Sequence, residues 1–542
     1  MPFGIVEGYL FELAPITLFI VKNNETALIF PKENSLSPLS IRRHAAATGV
    51  VILIILLRLV YFGLAQLIPD EAYYWQYAQH MDLSFFDHPP MVAWLIWLGT
   101  SILGNNEFGV RIGAFICGLL SMGYLYALAR NLYDKATGMR ALMLWAVLPF
   151  GFASGLLMTP DAPLVATWTA TLYYMERALV FGQRSAWLGM GIAFGLGLLS
   201  KYSLGLLGVA ALIFVIMDPT ARRWTKQPHP YFSAFLALLI FSPVILWNYQ
   251  NNWVSFMFQS DRLLSEEHEF SVHYLTLYIL ILLTPVGFLA AAVALFSSEK
   301  HDGEKFSRRR QLFVKVFTGV PLFIFFALST FDLPKFHWTG PVWLSLLPTI
   351  AWMMGQASFL NTMNRRLQTA WRPTIIGCIL CYVFVLNFLA VGIPGIRYPK
   401  FAEHYFWRET AIEIEKITEE VQQQTGKIPI VVGMSKWSVA SALSFYNQGQ
   451  TAMDIRSQNI FGESAVMYDF WFPSQERIAR PIIQVGMKRH HLEHNRTGKI
   501  FSQMLDNPGE IKYRIINRDG IPMRFVYYRV ASGFLGADAL GD

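Results

Sequence analysis

Long apolar stretches separated by short polar segments fill roughly the first three quarters of this 542-residue chain. A helix needs about 17 to 25 largely apolar residues to cross a bilayer, and charged residues, Pro, Gly and Asn separate such stretches here. The pattern predicts a polytopic α-helical membrane domain, residues 46–392, with about eleven spans, give or take two. The predicted spans are residues 46–68, 108–129, 139–157, 162–181, 186–200, 203–217, 231–248, 273–297, 312–330, 338–354 and 373–392.

The pattern changes after the last apolar stretch. Residues 393–542 have an ordinary polar composition, with a strand-like run from Ile428 to Gly433, a helical pattern over 437–446 and another strand-like run over 524–528. We therefore expect a C-terminal α/β domain outside the membrane. Residues 1–45 form an N-terminal extension without a convincing signal peptide, so the first span is expected to act as an uncleaved anchor.

Composition and charge support a membrane protein. Apolar residues make up 54% of the chain and charged residues 15%, with a mean hydropathy of +0.36, which excludes an ordinary soluble enzyme. The net charge of +7 comes from Lys and Arg concentrated in alternate loops, which is a topology signal and argues against a nucleic-acid partner. These predicted cytoplasmic loops carry Arg42, Arg43, Arg130, Lys135, Arg140, Arg184, Arg222, Arg223, Lys226, Lys300, Lys305, Arg308, Arg309, Arg310, Arg365, Arg366 and Arg372.

The opposite loops are acidic. They carry Asp70, Glu71, Asp82, Asp87, Asp161, Asp261, Glu266, Glu267 and Asp332, with Lys201, Arg262 and Lys335 as their basic residues. By the same charge rule, these loops and the C-terminal domain are predicted to lie outside the cytoplasm.

The first acidic loop, residues 69–107, is predicted to lie at the membrane surface. Its carboxylate pair, Asp70 and Glu71, follows the first span directly. The apolar run 91–103 is too short to cross a bilayer and contains two tryptophans, so it should lie flat in the interface or dip in and return. A carboxylate held at this depth can take a proton from a hydroxyl group beside a lipid-borne reactant.

The middle of this loop reads Asp87-His88-Pro89-Pro90. Two prolines restrict the backbone around the histidine, which suits a side chain that must point at a reacting group. A polar surface turn would show the same residues, and the residues alone leave both readings open.

Several of these segments together resemble a known family. The segments Asp70-Glu71-Ala72-Tyr73-Tyr74-Trp75, Phe86-Asp87-His88-Pro89-Pro90, Arg111 and Thr159-Pro160-Asp161-Ala162-Pro163-Leu164 are similar to successive motifs of bacterial GT-C superfamily glycosyltransferases. The branch is the one of dolichyl-phosphate-mannose protein mannosyltransferases and lipid A aminoarabinose transferases. The similarity covers residues 46–220 well and extends loosely to 392.

The resemblance implies transfer of a sugar from a polyprenyl-phosphate donor to an acceptor hydroxyl at the outer face, with inversion at the anomeric carbon. Lipopolysaccharide or lipid A, an envelope glycan and a protein all remain possible acceptors. In such a family an acid of the first loop is the catalytic base. Asp70 is the first choice and Glu71 the alternative, since adjacent side chains cannot normally address one atom. Asp161 is either a helix cap or a residue that positions the acceptor or a cation.

A phosphate leaving group needs cations, and the acidic loops contain few of them. The predicted phosphate ligands are Lys201, Lys335, His337, His88 and Arg58, the last of which lies inside the first span and must face protein or a polar cavity. Loop-positioning roles are assigned to Asp87, Pro89, Pro90 and Tyr74.

No nucleotide-binding or cofactor motif is visible in the sequence, and a lipid-linked donor needs none. A divalent cation remains possible, because several carboxylates share the acidic face, yet no spacing specifies a metal site. A transporter or flippase of a lipid-linked glycan is the main alternative, and a noncatalytic scaffold is another. Transporters usually place their functional charges near the membrane midplane, whereas here the charges lie at the surface.

Overall fold

The computed structural model describes residues 38–261, 269–296, 305–356, 362–393, 405–447, 453–473, 479–494, 501–518 and 520–534. The chain is almost entirely helical up to Ala390, and a mixed β-sheet with helices follows. The helices of the first part are α1 (Pro38–Leu64), α2 (Pro69–Gln79), α3 (Met91–Leu103), α4 (Glu107–Leu132), α5 (Lys135–Val147), α6 (Pro149–Ser154), α7 (Asp161–Met175), α8 (Ala186–Leu198), α9 (Gly205–Met217), α10 (Pro228–Gln250), α11 (Val254–Asp261), α12 (Val272–Phe296), α13 (Lys305–Leu328), α14 (Leu347–Met353) and α15 (Thr362–Ala390).

Within the described ranges, six helices are long and apolar enough to cross a membrane. They are His44–Leu64, Glu107–Leu132, Pro228–Gln250, Val272–Phe296, Ser307–Leu328 and Arg365–Ala390, and each overlaps a predicted span. Large apolar side chains on their surfaces are exposed, which is favourable in lipid and costly in water. The prediction of a polytopic helical membrane protein is therefore confirmed.

The other five predicted spans correspond to shorter helices. The stretch 139–157 is divided between α5 and α6, because Pro149 begins a new helix. The stretch 338–354 is divided in a similar way, into a 3₁₀ helix, Gly340–Ser345, and α14. The count of eleven spans remains a prediction.

The first acidic loop is mostly helical, which differs from the prediction of a loop. Pro69 begins α2 and two acids occupy its first turn, a favourable start for a helix. Helix α3 has 13 residues, too few to cross a bilayer. Both Pro89 and Pro90 are buried, and the amide of Met91 donates to the carbonyl oxygen of Leu199 at 3.0 Å. The start of α3 is thus fixed against the end of α8.

The C-terminal domain is a six-stranded sheet with helices. Its elements are α16 (Trp407–Thr425), β1 (Ile430–Gly433), α17 (Ser438–Tyr446), β2 (Asp454–Ser457), α18 (Tyr468–Trp471), β3 (Ile482–Gly486), β4 (Leu505–Asn507), β5 (Ile511–Arg518) and β6 (Ile521–Phe534). The strand order is β2-β1-β3-β6-β4, with β5 also paired to β6. Strand β1 is parallel to β2 and β3, and β6 is antiparallel to its neighbours. Strand β1 lies within the strand-like run 428–433, α17 lies within the helical pattern 437–446, and β6 includes residues 524–528.

The C-terminal domain packs directly on the segment that follows α1. The hydroxyl of Tyr446 accepts a hydrogen bond from the amide of Leu67 at 2.7 Å and donates to Glu107 at 3.2 Å. The ring of Trp75 contacts Phe445 edge-on, with centroids 5.2 Å apart. Helix α2 is therefore held between the helical bundle and the sheet domain.

Candidate active site

Arg111, near the start of α4, connects three parts of the chain. Its Nε and one terminal nitrogen donate to the two carboxylate oxygens of Glu71 at 2.8 and 2.7 Å. Its other N–H groups donate to the carbonyl oxygens of Phe62, Ala65 and Gln66 at 2.6 to 2.9 Å. An arginine has five N–H donors, so all of them are used at a position where the residue is 1% exposed. Arg111 thus joins the end of α1 to α2.

The carboxylate of Glu71 is saturated as well. Besides the two bonds from Arg111, it accepts from the amide of Met158 at 3.0 Å and from the amide of Ile68 at 3.2 Å. A carboxylate offers about four lone-pair positions, so none is left for a substrate proton. The residue is completely buried. Its position is that of a residue fixing the start of α2.

Asp70 precedes Glu71 and, unlike it, is exposed. One turn further along α2, burial and the carboxylates of Asp70, Asp87 and Asp161 raise the pKa of the Tyr74 phenol well above its ordinary value. Three acids from different parts of the chain therefore lie within electrostatic reach of one hydroxyl group. The fold therefore brings Asp70, the predicted base, near Asp87 and Asp161.

Asp161, the first residue of α7, lies between the ammonium group of Lys201 and the imidazole of His337. The Nζ of Lys201 donates to one carboxylate oxygen at 2.9 Å, and the Nε2 of His337 is 3.4 Å from the other. Burial opposes ionisation of Asp161, but Lys201, His337 and His88 outweigh it and hold the pKa of this carboxyl below its ordinary value. Asp161 is consequently ionised at neutral pH, and it holds Lys201 in place.

His88 lies within electrostatic reach of the other nitrogen groups of the site. Its ring lies 5.7 Å from the ring of Tyr74, measured between centroids. Burial, Lys201, Lys335 and His337 all lower the pKa of His88 to well below its ordinary value. The imidazole is therefore neutral at pH 7. Four of the five predicted phosphate ligands thus share one region. Lys201 follows α8, His88 lies in the loop before α3, and Lys335 and His337 lie in the segment before α14.

Asp87 is held by two tyrosines of α2. The hydroxyl of Tyr77 donates to its carboxylate, and the hydroxyl of Tyr73 does so at 3.2 Å. Gln259 donates to the carbonyl oxygen of Asp87 at 3.0 Å. Burial raises the pKa of this carboxyl, while the tyrosine hydrogen bonds and Lys335 act in the opposite direction. These contacts fix the loop that carries His88.

The described contacts of Arg58 are with α6 and not with this cluster, so they do not support the prediction that it binds the donor phosphate. It is fully buried inside α1, where one terminal nitrogen donates to the carbonyl oxygen of Gly151 at 2.8 Å. Its guanidinium lies 5.4 Å from the ring centroid of Phe152 and packs so closely on Gly155 that a Cβ at that glycine would be 2.6 Å away. The side chain faces protein, as expected for a charge within a span, but it packs against α6.

Sequence reasoning missed the tyrosine contacts to Asp87. Tyr73 and Tyr77 are four residues apart and so lie on one face of a helix, which was the available signal once α2 was known to be helical. Contacts from the C-terminal domain had no local signal: the amide of Met467 donates to the Tyr73 hydroxyl at 3.3 Å, and Trp437 packs on the same ring. Among the described residues, no group of three or more His, Cys, Asp or Glu side chains is placed to hold a metal ion.

The comparison with known proteins gives a family model that covers part of this site, and several curated relatives. Residues 87–247 match the family model described as dolichyl-phosphate-mannose-protein mannosyltransferase. An undecaprenyl phosphate-alpha-4-amino-4-deoxy-L-arabinose arabinosyl transferase of Pseudomonas aeruginosa strain UCBPP-PA14 is 28% identical over 327 residues, covering 54% of this chain and 55% of the relative. The lipopolysaccharide core galacturonosyltransferase RgtA of Rhizobium johnstonii is 26% identical, covering 60% and 66%. The chain thus spans little more than half of the length of the curated relatives that it matches.

Solved structures show the same fold at low sequence identity. ArnT from Cupriavidus metallidurans in the apo state superposes with a TM-score of 0.58 at 15% identity, over 92% of this chain and 100% of that one. The same protein bound to undecaprenyl phosphate gives a TM-score of 0.58 at 14% identity, over 89% and 98%. These superpositions show that the chain shares the fold of ArnT. The matching family model and the curated relatives agree with the resemblance that the sequence motifs predict.

Proposed function

We propose that this protein is an inverting glycosyltransferase that moves a sugar from a polyprenyl-phosphate donor to an acceptor hydroxyl at the outer face of the bacterial inner membrane. We further propose a lipopolysaccharide or lipid A acceptor, because the relatives include a lipopolysaccharide core galacturonosyltransferase. The undecaprenyl-phosphate donors named for the matching arabinosyl transferases support the donor class.

The observation that carries the proposal is the difference in environment between the two neighbouring acids, Asp70 and Glu71. Glu71 is buried and its lone pairs are occupied, whereas Asp70 is exposed and shares a neighbour, Tyr74, with Asp161. A general base needs an accessible lone pair. This geometry favours Asp70 over Glu71 as the base and gives Glu71 the role of fixing its position.

The reaction uses these groups as follows. The acceptor hydroxyl gives its proton to the Asp70 carboxylate, and its oxygen forms a bond to the anomeric carbon of the donor sugar. The bond between that carbon and the phosphate oxygen breaks, and its electron pair leaves with the polyprenyl phosphate. Because attack comes from the side opposite the phosphate, the anomeric configuration inverts.

The leaving phosphate gains negative charge as this bond breaks. Lys201, held by Asp161, and Lys335, which is exposed and acts electrostatically on His88, supply fixed positive charge at this position. His337 and the neutral His88 add N–H donors. Preorganised donors and charges aimed at a developing anion accelerate such a step by stabilising its transition state.

The test is complementation of a deletion strain, with mass spectrometry of its envelope lipids and glycans. The wild-type chain should restore one missing sugar, and Asp70→Asn should not, although its level in the membrane is normal. Glu419→Gln, which changes an exposed acid on α16, is the matched control and should restore the sugar fully. Normal product in the Asp70→Asn strain would refute the assignment of the base and would favour transport or scaffolding.

A further inference from the structure

A cavity of about 450 Å³ opens in the C-terminal domain, away from the acids of the candidate active site. It lies where β1 and β3, two neighbouring parallel strands, both end: the segment after β1 supplies Ser435, Lys436 and Trp437, and the segment after β3 supplies His490 and His491. From β1 the chain passes to β2, which pairs with one edge of β1, and then to β3, which pairs with its other edge. In open α/β sheets, ligands bind in the crevice beyond the carboxyl ends of strands at such a reversal of order.

The start of α17 forms one wall of this cavity. Ser435 accepts hydrogen bonds from the amide of Val439 at 3.0 Å and from the hydroxyl of Ser438 at 3.1 Å, which fixes the turn between strand and helix. Gly433 allows this close approach, since a Cβ there would lie 2.5 Å from the amide nitrogen of Ala440. The helix therefore directs the positive end of its dipole toward the cavity.

The lining is rich in groups that bind anions. Lys436, His490, His491 and His494 line it, and Glu463 is the one acid among the described lining residues. The Nδ1 of His491 is buried and has no hydrogen-bond partner within the described part of the chain. Burial, His490 and Lys488 all lower the pKa of His491, so its imidazole is neutral at pH 7 and can donate an N–H to a bound group. The donors and charges present suit a phosphate or carboxylate group.

The cavity also has features that suit a sugar. Trp437 and Phe501 supply aromatic faces, and Gln458 and Ser438 supply polar groups. The volume falls within the range of small-ligand sites. A phosphate-binding group next to an aromatic wall is the combination expected for a charged saccharide.

One wall of the cavity contacts the candidate active site. The ring of Trp437 lies 5.7 Å from the ring of Tyr73, and Tyr73 donates to Asp87 in the loop that carries His88. A molecule bound in the cavity thus lies one aromatic contact away from α2, the helix that begins with the proposed base. The position suits part of an extended acceptor whose hydroxyl reaches Asp70.

We propose that this cavity binds an anionic saccharide, one bearing phosphate or carboxylate, as a distal part of the acceptor. The assignment of this saccharide to the acceptor rests on the proposed transferase function. The proposal that the cavity binds it rests on the cavity alone.

The first experiment measures binding to the purified full-length protein in detergent by isothermal titration calorimetry. The probe is glucose 6-phosphate, with glucose as the neutral comparison. Saturable binding of the phosphorylated sugar should be at least about tenfold tighter than that of glucose, and Lys436→Gln combined with His490→Gln should weaken it by about tenfold or more. Lys512→Gln, which changes an exposed cation on β5 that does not line the cavity, is the matched control and should bind normally.

The second experiment measures transfer to lipopolysaccharide purified from the deletion strain. The double variant should raise KM for this acceptor about tenfold or more and leave kcat unchanged, because the chemical groups near Asp70 are intact. Absence of saturable binding, equal binding by the double variant and wild type, or an unchanged KM would each overturn the proposal. Asp70→Asn should still bind glucose 6-phosphate. A failure of the proposed transferase function would therefore leave the binding result unchanged, and the two failures can be distinguished.

Discussion

Replacement of Arg111 by methionine tests whether the buried ion pair with Glu71 maintains the site. Methionine keeps the length and apolar stem of the side chain but removes all five hydrogen bonds of the guanidinium. Glu71 then stays buried with the amides of Ile68 and Met158 as its partners. Removing one member of a buried pair leaves an uncompensated charge, which costs about 3 to 5 kcal/mol.

This cost is large compared with the total stability of a folded domain, which is about 5 to 15 kcal/mol. It corresponds to a change of roughly 150-fold to 5000-fold in the unfolding equilibrium. The matched control is Arg489→Met, because Arg489 pairs with Glu493 at 3.0 Å while its side chain is 65% exposed. Breaking such an exposed pair should cost no more than about 1 kcal/mol.

The assay heats each detergent-purified variant and measures the fraction that still elutes as folded protein in size-exclusion chromatography. Since unfolding under these conditions is usually irreversible, midpoints are compared at one heating rate. Arg111→Met should unfold at a clearly lower temperature than wild type, and Arg489→Met should not. The double variant Glu71→Gln with Arg111→Met should recover part of the loss, because no buried charge is left. Equal midpoints for the two single variants, or a double variant less stable than Arg111→Met, would refute this reasoning.

Three further results are expected. Lys201→Met should reduce the initial rate of sugar transfer by about a hundredfold, since it removes a fixed charge near the leaving phosphate, and an unchanged rate would exclude that role. The pKa of His88 is lower in the folded protein than in the unfolded chain. As pH falls below about 6.5, the unfolded chain binds a proton that the folded ring does not bind. The contribution of His88 to stability is therefore present above about pH 6.5 and is lost as pH falls below that value. His88→Gln should therefore flatten the dependence of the thermal midpoint on pH between 5 and 7, and an unchanged slope would contradict the assignment. Tyr77→Phe should lower the midpoint, at a cost of about 1 to 3 kcal/mol, because Asp87 loses a hydrogen bond in a buried position, and a midpoint equal to that of wild type would show that the bond is unimportant.

The acidic and cationic residues of the candidate site could be selected from the sequence because few basic residues were available as candidates. Few basic residues occur in the acidic loops, so a phosphate ligand had few candidates, and Lys201 and His337 were both among them. The structure places both within 3.4 Å of the carboxylate of Asp161. The membrane character was predictable for a similar reason, since long apolar helices have few stable environments other than lipid.

The choice between Asp70 and Glu71 could not be made from the sequence. It depends on Arg111, whose partners are 40 or more residues away along the chain and include backbone carbonyls at the end of α1. A charge pattern does not reveal which acid meets a guanidinium after folding. The contacts of Arg58 could not be predicted from the sequence either. Its position within a span required a polar or protein environment, but the sequence did not specify that α6 would provide it.

The C-terminal domain contributes to the site by burying α2. Nine of the eleven residues of this helix are buried, so it has no face that could remain in solvent, and its surroundings must be protein on both sides. The helical bundle covers one side through Arg111, and the sheet domain covers the other through the contacts of Trp437 and Met467 with Tyr73. Because the Tyr73 hydroxyl also donates to Asp87, the sheet domain stabilises the loop that carries His88. The two domains therefore position the candidate base and the phosphate-binding groups jointly.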